Sequence, residues 1–165
     1  MKQITTTFDD YLAGENNVSQ ILHPSLRDIF IEELGDALLV AYLSGVRNKP
    51  TPKFRRTDPY TALIKEDVLT VFNFFKDYPD AFDLVREKWR AVNAFKGLLS
   101  ADKGQGVVEV FQSLKAQYWD VQVGWVEAVL RCRDDFERGM VSSVKSAAAG
   151  MEVERGLETV MGRVK

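Results

Sequence analysis

The most constraining feature of the sequence is a periodic apolar stripe between Gly106 and Ala149, a stretch that contains no proline. Apolar residues recur there at steps of three and four, which average close to the 3.6-residue period of an α-helix. The pattern therefore predicts one long amphipathic helix. Because glycine weakens helices, the sequence leaves open whether this helix is continuous through Gly124 and Gly139. The stripe consists of Val107, Phe111, Leu114, Tyr118, Val121, Trp125, Val129, Cys132, Phe136, Met140 and Val144.

Shorter apolar runs upstream predict helices that pack along the long one. They are separated by helix start and stop signals at Gly14, Pro24, Pro59 and Pro79. No strand pattern outweighs the helical period anywhere in the chain. The predicted fold class is all-α, a bundle of four or five helices organised along one long C-terminal helix. Residues 1–150 are predicted to form a single all-helical domain, and residues 151–165 a frayed or partner-ordered helical tail.

The helix predicted from Ser25 to Tyr42 has an acidic stripe, which is typical of a solvent-exposed face. That stripe consists of Asp28, Glu32 and Asp36. Gly35 lies within the helix, where glycine costs roughly 1 kcal/mol relative to alanine. We therefore expect another element to approach the backbone closely at Gly35. The apolar residues along this helix are Leu26, Ile29, Phe30, Leu34, Leu38, Ala41 and Tyr42.

Composition indicates a chain that can fold around a core of its own. Apolar residues make up 45% of the 165 residues and charged residues 28%, as in ordinary globular domains. The formal net charge of -2 disfavours a protein whose whole surface binds polyanions. The single cysteine, Cys132, excludes an intrachain disulfide, and the longest apolar run, 37–43, is too short to span a membrane. We expect a location in the cytoplasm or the interior of a host cell, with no membrane partner.

The sequence offers little for catalysis. His23 is the single histidine, which excludes a carboxylate-bridged di-iron site of the helical-bundle type. No nucleophile-elbow motif is present, and the glycine loop 103–106 lacks the full spacing of a phosphate-binding loop. Adjacent carboxylates such as Asp134 and Asp135 point about 100° apart on a helix and do not converge on one ligand. The chain is therefore predicted not to be an enzyme and to bind no cofactor or metal.

A basic loop lies between Arg47 and Asp58 in an otherwise acidic protein. Pro50 and Pro52 block both helix and central strand there. Clustered lysine and arginine bind phosphate backbones, and a neighbouring aromatic ring can stack on an unpaired base. The loop supports an alternative hypothesis, a sequence-tolerant nucleic-acid-binding protein of coat or nucleoprotein type, as in viral or phage structural proteins. The residues predicted to bind nucleic acid are Arg47, Lys49, Lys53, Phe54, Arg55 and Arg56.

The aromatic residues favour a different hypothesis, because they exceed what one face of each helix needs. Aromatic side chains are enriched in protein interfaces, and a helix as long as 106–149 would extend beyond a small domain. The leading hypothesis is therefore a non-enzymatic helical bundle that acts by self-association or by docking on another protein. The predicted interface anchors are Trp119, Trp125, Val153, Leu157 and Met161. No motif in the sequence identifies a family.

Overall fold

A computed structural model describes residues 1–14, 18–48, 54–55 and 57–165, apart from the side chains at 19, 47 and 48. Nine α-helices and two 3₁₀ helices, Gly45–Asn48 and Val160–Arg163, lie in these described ranges. Within the same ranges, β pairing is limited to one parallel bridge between Phe54 and Arg133. The α-helices are α1 (Lys2–Leu12), α2 (Val18–Ile21), α3 (Pro24–Ser44), α4 (Tyr60–Phe75), α5 (Pro79–Lys88), α6 (Ala91–Ser100), α7 (Gln105–Gln117), α8 (Val123–Arg131) and α9 (Arg138–Gly150).

The prediction of an all-α fold is confirmed, but the prediction of a single long C-terminal helix is wrong. The predicted stretch holds three helices, α7, α8 and α9. Gly124 and Gly139 are each the second residue of a new helix, so the helical structure is interrupted shortly before each of them. The buried residues of all three helices keep steps of three and four, and for that reason the stripe continues across both breaks. Divisions of this kind explain why the described ranges hold more helices than the four or five predicted.

The break between α7 and α8 is held by side chains that bond to the backbone. The Lys115 ammonium donates hydrogen bonds to the carbonyl oxygens of Trp119 and Val121, the second at 3.2 Å. The Asp120 carboxylate accepts hydrogen bonds from the backbone N–H and the hydroxyl of Thr159, at 2.5 and 2.6 Å. These bonds replace those that a continuous helix would make, and the chain turns here.

The break between α8 and α9 contains Arg133, whose side chain is buried. Its guanidinium donates to both carboxylate oxygens of Asp135, at 2.8 and 3.0 Å, and to the Leu98 carbonyl oxygen at 2.9 Å. The Asp134 backbone N–H donates to the Phe54 carbonyl oxygen at 3.0 Å. A buried guanidinium needs several partners, and part of this set comes from distant positions in the chain.

The chain divides into two compact units, which are described separately. The first unit comprises Met1–Leu38 and Pro59–Trp89, and the second unit comprises Leu39–Asp58 and Arg90–Lys165. The single domain predicted for residues 1–150 stays a prediction.

In the first unit, α1 packs on α4, and α4 packs on α5. The ring centroids of Phe8 in α1 and Phe74 in α4 lie 5.8 Å apart. Helix α5 reaches α3 at Gly35, where a Cβ atom would lie 2.7 Å from Val85 Cγ2. The Trp89 indole N–H donates to the Gly35 carbonyl oxygen at 3.3 Å. The close approach predicted at Gly35 is therefore confirmed.

In the second unit, α7 packs on α6 and α9, and α8 packs on the same two helices. Residues 151–165 follow α9 as non-helical chain that ends in the 3₁₀ turn Val160–Arg163. A frayed or partner-ordered helical tail stays a prediction, because no partner is present here. Val160, Met161 and Val164 are buried. The tail is stabilised by this apolar burial and by the hydrogen bonds of Thr159, and it does not depend on helical backbone hydrogen bonds. The low helix propensity of its glycines therefore does not destabilise it.

Candidate protein-interaction surface

The N-terminal half of α3 exposes three large apolar side chains. Leu26 is 57% exposed, Ile29 59% and Phe30 42%. Spacing of three and four places them on one face of the helix, which we call the outer face of α3. Buried residues such as Ile31 and Leu38 lie elsewhere on the same helix. Helix α3 is therefore apolar on more than one side, as expected of a helix that is covered on more than one side.

The acidic stripe predicted to be the exposed face of this helix is partly enclosed instead. Asp36 is 6% exposed and forms an ion pair with Lys88 of α5, with an N–O distance of 2.9 Å. Asp28 is half-buried beside Arg27. The prediction failed because Lys88 offers Asp36 a partner that charge patterning in α3 alone does not show. The sequence did contain one signal against an exposed acidic face: apolar residues are distributed around the helix, so that no face is clearly polar.

Other large apolar side chains are exposed in the same unit. Besides the outer face of α3, the helices α1, α2, α4 and α5 each contribute at least one. Among the described residues of the second unit, Leu157 is the one large apolar side chain of this exposed class. Clustered exposed apolar surface marks interaction sites in soluble proteins. The additional exposed residues of the first unit are Ile4, Tyr11, Ile21, Leu63, Leu69 and Leu84.

The two units also differ in charge. The residue ranges of the first unit contain six lysines and arginines and thirteen aspartates and glutamates, a net charge of −7. Those of the second unit contain sixteen and eleven, a net charge of +5. The overall value of -2 therefore conceals an acidic unit and a basic one. The exposed apolar side chains are concentrated in the acidic unit.

Two of the predicted interface anchors lie in the core of the second unit. Trp125 is 0% exposed, and its indole N–H donates to the Leu43 carbonyl oxygen at 3.0 Å. Met161 is also 0% exposed. A partner cannot reach either side chain in this conformation. The prediction assumed that both residues lie on one continuous helix whose end is exposed. Instead, Trp125 is a core residue of α8 and Met161 is a core residue of the 3₁₀ helix Val160–Arg163.

The other three predicted anchors are at least partly accessible. Trp119 and Val153 are half-buried, and Leu157 is 93% exposed. The structure brings two of them together, because the Trp119 indole N–H donates to the Leu157 carbonyl oxygen at 3.0 Å. The bond holds the Leu157 backbone while its side chain extends into solvent. An interface role for these three residues stays a prediction.

The predicted nucleic-acid residues lie largely outside the described part of the chain. Lys49, Lys53 and Arg56 are outside it, and so is the side chain of Arg47, whose backbone belongs to the 3₁₀ helix Gly45–Asn48. Arg55 is exposed, and its backbone N–H donates to the Asp58 carboxylate at 3.0 Å.

Phe54, the aromatic residue predicted to stack on a base, is half-buried. Its ring packs edge-on against Phe95, with centroids 6.2 Å apart. Its backbone N–H donates to the Cys132 carbonyl oxygen at 2.8 Å. The ring is therefore engaged within the second unit. No local pattern indicates this contact, because Phe95 and Cys132 are distant from Phe54 in the chain.

Two perturbed titratable groups reflect local packing. Burial raises the pKa of Tyr78, and the nearby carboxylates Asp9 and Asp77 raise it further. Hydrogen bonds from Arg131 and Lys145 lower the pKa of Glu127, which links α8 to α9. Both shifts have structural explanations within one unit, and neither group belongs to the outer face of α3.

The described residues contain no group of three or more His, Cys, Asp or Glu side chains able to hold a metal ion. Over the same part of the chain, no helix combines the length and apolarity needed to cross a bilayer.

Comparison with known proteins identifies the family. The sequence profile of exocyst complex component Sec6 matches residues 1–138. Exocyst complex component sec6 of Schizosaccharomyces pombe is 31% identical over 144 residues, which cover 87% of this chain and 18% of that protein. No solved structure shows significant similarity. The chain thus spans less than a fifth of the relative's length, and the match over most of its own residues shows that it belongs to the Sec6 family of exocyst complex components.

Proposed function

We propose that this chain is a non-enzymatic helical module of a multi-protein assembly, and that it contacts another protein through the outer face of α3. The family supports assembly, because both the matching profile and the fission yeast relative are named as components of the exocyst complex. The observation that carries the proposal is the exposure of Leu26, Ile29 and Phe30 on one helical face.

Apolar burial gives an estimate of what this face contributes. Full burial of a large apolar side chain stabilises by about 1.5–3 kcal/mol, and the three side chains of the outer face are roughly half exposed. Covering them would therefore contribute about 3 kcal/mol. Association costs roughly 4–15 kcal/mol in lost freedom. The outer face of α3 is thus the centre of a larger interface, to which other exposed apolar residues of the first unit contribute.

Self-association is the second form of the same proposal. A second copy would bring another acidic first unit against this one, which opposes pairing of like surfaces. The nucleic-acid hypothesis has less support, because the family is one of complex components and Phe54 packs against Phe95.

Quantitative co-purification tests the proposal. The tagged chain is expressed in its own cells as wild type and as a Leu26→Gln, Ile29→Gln, Phe30→Gln triple variant, and exocyst subunits are quantified by mass spectrometry. Glutamine keeps helix propensity while it removes apolar surface. Leu157→Gln is the comparison variant, because it removes a more exposed apolar side chain in the second unit, a predicted anchor that this proposal places outside the interface. Circular dichroism verifies that all three proteins fold.

We expect wild type and Leu157→Gln to recover exocyst subunits equally, and the triple variant to recover them at least about tenfold less, the effect of losing roughly 1.4 kcal/mol. Equal recovery by the folded triple variant would exclude the outer face of α3. Absence of exocyst subunits from the wild-type sample would contradict the assembly role.

A further inference from the structure

We propose that the first unit recognises a basic amphipathic helix of a partner protein, which places its apolar stripe on the outer face of α3 and its lysines and arginines against the surrounding carboxylates. This inference deepens the proposed function and rests on it. It specifies the chemistry of the partner surface, which the family comparison does not provide.

The charge of the first unit supports a basic partner. Four of its six cationic side chains already pair with its own carboxylates: Lys2 with Glu66, Arg27 with Asp28, Arg86 with Asp83, and Lys88 with Asp36. The net charge of −7 therefore reflects an excess of acids that the unit's own lysines and arginines cannot neutralise. Complementary charge accelerates association and selects among partners.

Acidic residues accompany the exposed apolar residues in α3 and in α1. Glu33 is exposed three residues after Phe30, so it extends the outer face of α3. In α1, Asp9 and Asp10 are exposed immediately before Tyr11. A basic amphipathic helix complements this combination. Its apolar face would cover the exposed apolar side chains, and its lysines and arginines would pair with the carboxylates.

The dimensions favour a helix as the bound element. The exposed positions Leu26, Ile29, Phe30, Glu33 and Ala37 follow one face of α3 for about 16 Å, at 1.5 Å per residue. This length accommodates roughly three turns of a second helix. Side chains at steps of three and four form ridges that fit the grooves of another helix.

Other occupants fit less well. A second copy offers an acidic first unit, which repels, or a basic second unit whose described residues expose a single large apolar side chain, Leu157. An anionic lipid surface and a nucleic acid backbone would both be repelled by a net charge of −7.

Synthetic helical peptides test the inference on the full chain. The first peptide contains leucine and lysine over about 18 residues, with leucines at helical steps of three and four, long enough to form a helix. An acidic peptide carries glutamate at every lysine position, and a scrambled peptide keeps the leucine and lysine content without the apolar stripe. Fluorescence anisotropy measures Kd at low salt and near 0.5 M salt, where charges more than about 4 Å apart are largely screened.

We expect the leucine–lysine peptide to bind at least about tenfold more tightly than either control peptide. The Leu26→Gln, Ile29→Gln, Phe30→Gln triple variant should lose roughly tenfold in affinity, because it removes the apolar anchors without adding charge. Glu33→Gln should lose less and should show a weaker salt dependence, and Leu157→Gln should bind as the wild type does. Circular dichroism again verifies the fold of each variant.

Several results would overturn the inference. They are absence of measurable binding, equal binding of the acidic or scrambled peptide, and unchanged affinity in the folded triple variant. Phosphatidylserine vesicles serve as a further arm, and co-sedimentation with them would show a lipid-binding surface instead. A concentration-dependent mass above one chain that the triple variant abolishes would assign the face to a second copy.

The peptide and co-purification experiments fail independently. If the triple variant loses exocyst subunits but no peptide binds, the proposed function stands and the basic-helix inference is wrong. If the wild type recovers no exocyst subunit, the proposed function fails, whatever the peptides do.

Discussion

Arg133 shows how one residue can hold two parts of the second unit together. The residue is 1% exposed, and its three side-chain hydrogen bonds join the α8–α9 break to the end of α6. Burial of a charge is costly unless it is paired and hydrogen-bonded, and removal of one partner is therefore strongly destabilising. Arg131, two residues earlier, is exposed and pairs with Glu127 inside α8.

We expect Arg133→Met to lower the free energy of unfolding by about 3 kcal/mol, since Asp135 is itself partly hydrated and the lower end of the range applies. Arg131→Met should cost less than about 1 kcal/mol, because exposed ion pairs contribute little. Urea denaturation followed by circular dichroism measures both. Equal losses in the two variants would show that the buried hydrogen bonds do not stabilise the unit.

Gly35 is a second residue whose role depends on a neighbour. A Cβ atom there would approach Val85 Cγ2 to 2.7 Å, and Val85 is itself 1% exposed. At Gly45, by contrast, an added Cβ atom meets nothing within 4 Å. The same chemical change at these two glycines therefore separates packing from backbone propensity.

We predict that Gly35→Ala lowers the free energy of unfolding by roughly 1 kcal/mol, because an overpacking cost of about 1–3 kcal/mol exceeds the gain in helix propensity. Gly45→Ala should be neutral or stabilising by up to about 1 kcal/mol. Thermal and urea unfolding of the two variants provide the comparison. A stabilising Gly35→Ala would mean that α5 does not approach α3 as closely as described.

At the scale of elements, the sequence predicted what local signals determine. Pro79 begins α5 as expected, and helical periodicity predicted the all-α class. The sequence left open whether the long helix continues through Gly124 and Gly139, because periodicity is a local property, whereas the hydrogen bonds that stabilise the two breaks join residues far apart in sequence. Arg133 and Leu98 are 35 residues apart, and Asp120 and Thr159 are 39.

The candidate surface was missed for a related reason. Leu26, Ile29 and Phe30 were counted among the apolar residues along the helix, with no distinction between covered and exposed ones, and Asp36 was predicted to be exposed because it is charged. Which side of α3 is covered depends on where α5 lies, and Lys88 and Val85 of α5 meet α3 at Asp36 and Gly35. Apolar patterning identifies a helix, but a helix that is apolar on several sides does not identify its own exposed face.

The tail 151–165 allows a prediction about an element, because one of its large apolar residues is buried and another is exposed. Met161→Ala should lower the free energy of unfolding by about 2–4 kcal/mol through loss of core packing. Leu157→Ala, 93% exposed in the wild type, should change it by less than about 0.5 kcal/mol. Urea unfolding measures the free energy of unfolding of both variants. A negligible effect of Met161→Ala would show that the tail does not belong to the core of the second unit.

At the scale of the whole molecule, charge and apolar exposure vary together. The acidic first unit carries nearly all of the large exposed apolar side chains in the described ranges, and the basic second unit encloses its own. A net charge of -2 gives no indication of this arrangement. Membership of the Sec6 family is compatible with the proposal that another protein covers the exposed apolar side chains of the first unit.

The most direct test of this account is hydroxyl-radical footprinting of the free chain and of the co-purified assembly, with oxidation quantified for each side chain by mass spectrometry. We predict that oxidation of Leu26, Ile29 and Phe30 falls severalfold in the assembly, while that of Leu157 stays unchanged. Unchanged oxidation of the outer face of α3, together with protection elsewhere, would contradict the claim that this face makes the contact.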